Sequence, residues 1–110
     1  MKPEISVVIP LNNEEPNLLQ LYDELTATFA TAGQTYELIL VDDGSTDGTY
    51  RLLAELHAKD SRVCVVCLRR NFGQTAAFSA GFNHARGRVI VTLDGDLQND
   101  PRDIPSMLAN

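Results

Sequence analysis

The chain has 110 residues, 44% of them hydrophobic and 22% charged, with a formal net charge of −6. This is enough for one small domain with its own core. The acidic balance excludes an extended nucleic-acid groove, which needs a basic stripe, but not an anionic ligand held by a cation or a few local arginines.

No run is long enough to span a bilayer, and residues 1–4 lead into a short apolar run with no small-residue cleavage pattern. A cytoplasmic location is therefore expected. In chain order, Ile-Ser-Val-Val-Ile at 5–9 reads as a strand ended by Pro10. Residues 15–31 read as a helix, with Leu18, Leu19, Tyr22, Leu25 and Phe29 at helical spacing. Pro16 suits its first turn and Gly33 its end. Residues 36–41 form a second strand. Thr46 or Asp47 can cap a second helix with Leu52, Leu53 and Leu56 on its buried side. Residues 62–68 form a third strand. A third helix spans 73–85, where Ala76, Ala77, Ala80 and Gly81 allow close packing, and Gly87 ends it. Arg88 begins a fourth strand, β-branched and apolar, that runs to Leu93. Pro101 opens a last segment, interrupted by Pro105.

Cys64 and Cys67 have a C-x-x-C spacing, but positions three apart on a strand face opposite ways and no second pair completes a metal site. They read as buried core thiols in a reducing compartment. His57 and His84 read as surface or helix-end residues. Ser45 and Ser79 lack a nucleophile-elbow context. No Walker motif or dinucleotide fingerprint is present.

Alternating strands and helices imply an α/β fold, a Rossmann-like parallel sheet with helices on both faces and strand order 3-2-1-4. Ligands of such sheets bind beyond the carboxyl ends of the strands, where strands 1 and 4 diverge. Each strand ends there in polar groups: Asn12, Asn13 and Glu14; Asp42, Asp43 and Ser45; Arg69, Arg70 and Asn71; Asp94 and Asp96. The amino ends read as ordinary solvated residues. Two carboxylates at the mouth of a buried strand suit a divalent cation that completes its shell with phosphate oxygens, so Asp94 and Asp96 are candidate metal and ribose ligands. A solvated Asp-Gly turn is the plain alternative. Asp42 and Asp43 can accept from a base or ribose, cap the next helix, or divide the two tasks. Asn13 and Glu14 can bind a ligand or cap a helix. Arg69 and Arg70 can face phosphates, one of them turning to solvent by alternation.

These residues lie in five ordered motifs: Val-Val-Ile-Pro-Leu-Asn-Asn-Glu at 7–14, Leu-Val-Asp-Asp-Gly-Ser-Thr-Asp-Gly-Thr at 40–49, Arg-Asn-Phe-Gly-Gln at 70–74, Ala-Gly-Phe-Asn-His-Ala-Arg-Gly at 80–87 and Leu-Asp-Gly-Asp-Leu-Gln-Asn-Asp-Pro at 93–101. Together they resemble family 2 glycosyltransferases of the GT-A fold, in the branch of dolichyl-phosphate mannosyltransferase and bacterial undecaprenyl-phosphate sugar transferases. The resemblance implies a Mg²⁺- or Mn²⁺-dependent, inverting transfer of sugar from a UDP- or GDP-sugar to a polyprenyl phosphate, with the full-length protein at the cytoplasmic face of a membrane. It places Pro10, Asn13 and Glu14 near the nucleoside and Asp42 or Asp43 at the base. Arg70 and Gln74 would line the nucleotide pocket, Asp94 would lie by ribose or metal, Asp96 would bind the metal at the diphosphate, and Gln98 would lie near the sugar. Gly95 stands where this branch often has Ala, and Asn83 and Arg88 where acidic residues are expected. The chain is thus expected to be the donor-binding part of such an enzyme, without its acceptor part and catalytic residue. A binding module that self-associates through an open sheet edge beside the fourth strand is the alternative.

Overall fold

A computed structural model describes residues 2–93, so Asp94, Asp96 and Gln98 lie outside the described residues. The elements are β1 (Ile5–Leu11), α1 (Glu15–Ala32), β2 (Tyr36–Asp43), α2 (Thr49–Lys59), β3 (Val63–Leu68), α3 (Gln74–His84) and β4 (Val89–Thr92). All strand pairs are parallel and the order is β3-β2-β1-β4, as the alternating pattern predicts.

Both faces of the central strands are covered. Ile5, Val7, Ile9 and Leu11 of β1, with Leu38 and Leu40 of β2, pack under Leu18, Leu21, Leu25 and Phe29 of α1 and under Leu53 and Leu56 of α2. Val8, Ile39 and Val41 form the other face, against Ala77 of α3. A Cβ at Gly81 would lie 2.3 Å from Val8 Cγ1, so the small face of α3 is what lets that helix sit close to the sheet. In α1 the buried stripe runs through Leu21, whereas Leu19 is half exposed. Leu18 and Leu21 are one turn apart, and Leu19 is rotated off their line.

Pro10 does not end β1, which continues to Leu11. The Val8 carbonyl accepts from the Leu93 amide, so alternate residues Val8 and Pro10 face β4. Among the described residues the register with β4 runs to Val8 opposite Thr92, so the missing proline N–H removes no β4 ladder bond there. The third helix ends at His84, before Gly87, whose amide instead donates to the Ser6 hydroxyl at 2.7 Å. The cysteines are not buried: Cys64 is half-buried and Cys67 exposed, because β3 is an edge strand with a neighbour on one side only among the described residues. Partial burial pushes the Cys64 thiol up, away from thiolate chemistry.

The amino edge of the sheet also differs from the solvated surface expected. Glu37 is buried there. Its Oε2 accepts from the Ser6 hydroxyl at 2.6 Å and the Arg86 amide at 2.8 Å, and its Oε1 meets the Arg86 guanidinium at 3.1 Å. This network fastens the α3–β4 connection to β1 and β2, and so sets where β4 enters the sheet. Beside it, Asp60 accepts from Tyr22 Oη at 2.7 Å and pairs with Arg62 at 2.9 Å, while the Arg62 guanidinium lies over the Tyr36 ring.

Candidate functional site

All four strands point their carboxyl ends to one edge, where the β1–α1, β2–α2 and β3–α3 loops meet. A cleft of about 380 Å³ opens there, lined by Pro10, Leu11, Asn12, Glu14, Asp43, Asn71, Gly73 and Gln74. Of the residues expected at the site, Pro10, Glu14, Asp43 and Gln74 therefore share one cavity. Asn13, Asp42 and Arg70 do not line it.

Strand alternation separates the two aspartates. Asp42 points to the α1–α2 face, where its Oδ1 accepts from the Ser45 amide, three residues on, at 3.1 Å. Asp43 points to the α3 face and into the cleft. Its Oδ1 accepts from the Phe72 amide at 2.8 Å and its Oδ2 from the Gly73 amide at 3.1 Å. Both side chains are buried, so each needs such partners. Each Asp43 oxygen retains acceptor capacity toward the cleft.

The turn after Asp43 depends on Gly44, at φ 68°. A Cβ there would lie 2.3 Å from the backbone of Arg70 and Asn71. Only glycine lets the β2–α2 turn lie directly against the β3–α3 loop. That loop carries Arg70, exposed, with its guanidinium 4.7 Å from the Phe72 ring centre. Both Arg69 and Arg70 are exposed, where alternation predicted one. Gly73, at φ 98°, precedes the first turn of α3 and puts Gln74 at the mouth of the cleft.

The β1–α1 loop is tied to the β2–α2 loop residue by residue. Asn12 Nδ2 donates to the Asp43 carbonyl at 2.6 Å. Asn13, at φ 55°, donates its amide to Ser45 Oγ at 2.9 Å, and its Oδ1 accepts from the Thr46 amide at 2.8 Å and the Asp47 amide at 3.3 Å. The Glu14 amide donates to Thr49 Oγ1 at 2.9 Å and the Glu15 amide to Asp47 Oδ2 at 3.3 Å. In return the Gly48 amide donates to Glu15 Oε1 at 2.8 Å. The amino ends of α1 and α2 are thus capped by each other's loops. The N-cap of α2 is Gly48, not Thr46 or Asp47; Asp47, one position earlier, accepts from the Thr49 amide and hydroxyl, and the Thr49 hydroxyl comes first among the bonds that hold its carboxyl below the usual range. Asn12 and Asn71, which the sequence groups with the polar strand ends but gives no individual role, form walls of the cleft.

Among the described residues, no group of three or more His, Cys, Asp or Glu side chains could hold a metal ion. None of their helices is long and apolar enough to cross a membrane.

The sequence profile described as Glycosyl transferase family 2 matches residues 6–110, nearly the whole chain. The chain belongs to glycosyl transferase family 2. It is 48% identical over 107 residues to undecaprenyl-phosphate 4-deoxy-4-formamido-L-arabinose transferase of Klebsiella pneumoniae, covering 96% of this chain and 33% of that protein. It is 49% identical over 107 residues to dodecaprenyl-phosphate galacturonate synthase of Rhizobium johnstonii, covering 96% of this chain and 32% of that protein. The chain therefore spans about a third of the length of these curated relatives. Among solved structures, the mannosyltransferase PcManGT of Pyrobaculum calidifontis, in complex with GDP-Man and Mn²⁺, superposes with a TM-score of 0.82 at 23% identity, over 98% of this chain and 32% of its own. The S. aureus TarS residues 1–349, in complex with UDP, superpose at 0.72 with 25% identity, over 99% of this chain and 31% of its own. The family 2 membership and the GT-A architecture of these neighbours agree with the resemblance carried by the five motifs.

Proposed function

We propose that this chain forms the donor-binding part of an enzyme that transfers a sugar from a UDP- or GDP-sugar to a polyprenyl phosphate. The observation that carries this is the cleft at the carboxyl edge, where residues of separate family motifs, Pro10, Glu14, Asp43 and Gln74, converge. The UDP complex of TarS supports a nucleotide ligand, and the undecaprenyl-phosphate and dodecaprenyl-phosphate activities by which the 48% and 49% identical relatives are named support a polyprenyl-phosphate acceptor. Transfer itself is proposed for a longer protein containing this segment, acting where a lipid acceptor meets a cytoplasmic donor.

Within this proposal Asp43 and Glu14 accept from donors of the nucleoside, and Gln74 and Asn71 border the rest of the nucleotide. Arg70, outside the cleft lining, approaches the nucleotide only if its exposed side chain swings in. Asp94 and Asp96, from the sequence motif, would hold a Mg²⁺ or Mn²⁺ ion, which offsets charge on a departing diphosphate, and Gln98 would lie near the sugar. An acceptor phosphate is already anionic, so attack at the anomeric carbon from the opposite face needs no strong base and inverts its configuration.

Thermal unfolding with UDP or GDP, with and without Mn²⁺, tests this. A nucleotide at about 100 times its Kd should raise Tm on the order of 10 °C, and Asp96→Ala should remove the metal-dependent part. No shift with either nucleotide would refute donor binding. An undiminished Mn²⁺ effect in Asp96→Ala would refute the metal assignment.

The alternative, a binding module that self-associates, is favoured by β4. Val89 and Ile90 are exposed on β4, which is an edge strand among the described residues, and this suits pairing with a second copy. A monomer by light scattering at high concentration would exclude it.

A further inference from the structure

We infer that Asn13 is a positioning residue, which shapes the donor cleft from behind without touching its occupant. This inference rests on the proposed donor site. Asn13 is the family-motif residue expected near the nucleoside, yet it is absent from the cleft lining while its neighbours Asn12 and Glu14 both line it. Its own polar groups turn the other way, its amide to Ser45 and its Oδ1 to the amides of Thr46 and Asp47. The Thr46 hydroxyl approaches the same oxygen at 3.3 Å.

The left-handed backbone explains how one residue does this. At φ 55° the chain reverses locally, so the side chains on either side of Asn13 reach the cleft while its own faces the β2–α2 loop. Asn is among the few residues that adopt this conformation at low cost. The β2–α2 loop so gripped follows directly on Asp43, the last residue of β2, whose carboxylate holds Phe72 and Gly73. The grip therefore links all three walls of the cleft: Asn12 and Glu14, Asp43, and Asn71 to Gln74. A site assembled in this way is ordered before the ligand arrives, which removes part of the ordering cost from binding.

The test uses two substitutions at one position in the 110-residue chain. Asn13→Gly keeps the positive φ but deletes the acceptor. Asn13→Asp keeps an acceptor oxygen and also tolerates the backbone. Amide hydrogen exchange and calorimetric titration with UDP and GDP are read on both. In Asn13→Gly, exchange should accelerate about tenfold at Thr46 and Asp47, and also at Glu14, Glu15 and Gly48, whose bonds Asn13 does not make itself. Nucleotide affinity should fall about tenfold, and Asn13→Asp should restore both. Acceleration confined to Thr46 and Asp47, or nucleotide affinity unchanged in Asn13→Gly, would overturn the positioning role. If the unsubstituted chain binds neither nucleotide, the donor-site proposal fails by itself, and the exchange pattern still decides whether Asn13 couples the loops. Should Asn13→Gly not fold, Ser45→Ala, which removes only the acceptor of the Asn13 amide, must give the same pattern in weaker form. No acceleration at Glu14 and Glu15 in that variant would count against the coupling.

Discussion

Replacing Glu37 by Gln tests what fastens β4 into the sheet. The carboxylate is 4% exposed and Ser6 is fully buried. One oxygen accepts from the Ser6 hydroxyl and the Arg86 amide, the other from Arg86 Nε at 3.2 Å and its terminal nitrogen at 3.1 Å. Gln has one acceptor oxygen, so its NH₂ group must face one of these donor pairs. Turned toward the guanidinium, it opposes a cation; turned toward Ser6, it strands the Arg86 amide. Either choice loses a charge-assisted bond of ~1.5–3 kcal/mol. The Arg86 side chain is 63% exposed, so water compensates in part and the ionic share is small. The expected loss is ~2 kcal/mol. With a urea m-value of ~1.5 kcal/mol/M, the midpoint at neutral pH should fall by ~1.3 M. Equilibrium urea unfolding of both proteins measures this, and a loss below ~0.5 kcal/mol would refute the reasoning. The pH dependence gives a second check. Burial alone would raise the Glu37 carboxyl, but the bonds from Ser6 and from the Arg86 amide and guanidinium outweigh it and hold it below the ordinary 4.5. A lowered folded value means stability that is present above about 4.5 and lost as pH falls through the folded value. The gap between the two proteins should therefore close below pH 4.5.

Gly44→Ala combines a left-handed backbone with a Cβ 2.3 Å from neighbouring backbone, and should cost ~3 kcal/mol, seen as a Tm fall on the order of 15 °C. Gly44→Asn tolerates the φ but not the contact, so a well-folded Asn variant would refute the close-approach account. The Asp60 cluster carries a separate acid response. Burial opposes ionisation of Asp60, yet the Arg62 guanidinium, the Tyr22 hydroxyl and the Arg62 amide bring its carboxyl down to about 2, while the bond to Asp60 pushes Tyr22 up to about 12. Its stabilisation is present above about 3.8 and lost as pH falls through about 2. Tyr22→Phe should move the Asp60 titration upward, followed by carboxyl NMR, and weaken the fold above pH 4 by about 1 kcal/mol; an unmoved titration would show that Tyr22 contributes nothing.

The order of elements and the sheet order were legible in the chain because their signals are local. Apolar runs at 5–9 and 36–41 mark buried parallel strands, Gly33 marks the end of α1, and Ala77 with Gly81 marks a helix meant to lie close. The crevice was legible for the same reason: strand ends are where polar residues interrupt apolar runs, and parallel strands bring those ends to one edge. Family membership followed from motifs carried in order along the chain.

The tertiary structure decided the roles of individual residues. Asp42 and Asp43 are adjacent and chemically identical, and only the helix arrangement on the two sheet faces determines which one meets the cleft. Asn13 was assigned to the ligand by its motif, but its partners lie more than thirty positions away, beyond any periodicity. Glu37 sits inside an apolar strand, and the groups that make its charge tolerable arrive from Ser6 and Arg86, at separations of 31 and 49 residues. Cys67 read as core because its neighbours are apolar, and was exposed by the edge position of β3. Composition and spacing determine which segments are buried and which ends gather chemistry, since hydrophobic patterning acts along the chain. Which polar group satisfies which is settled only by contacts across it, because a buried donor or acceptor takes the partner that the completed fold brings within about 3 Å.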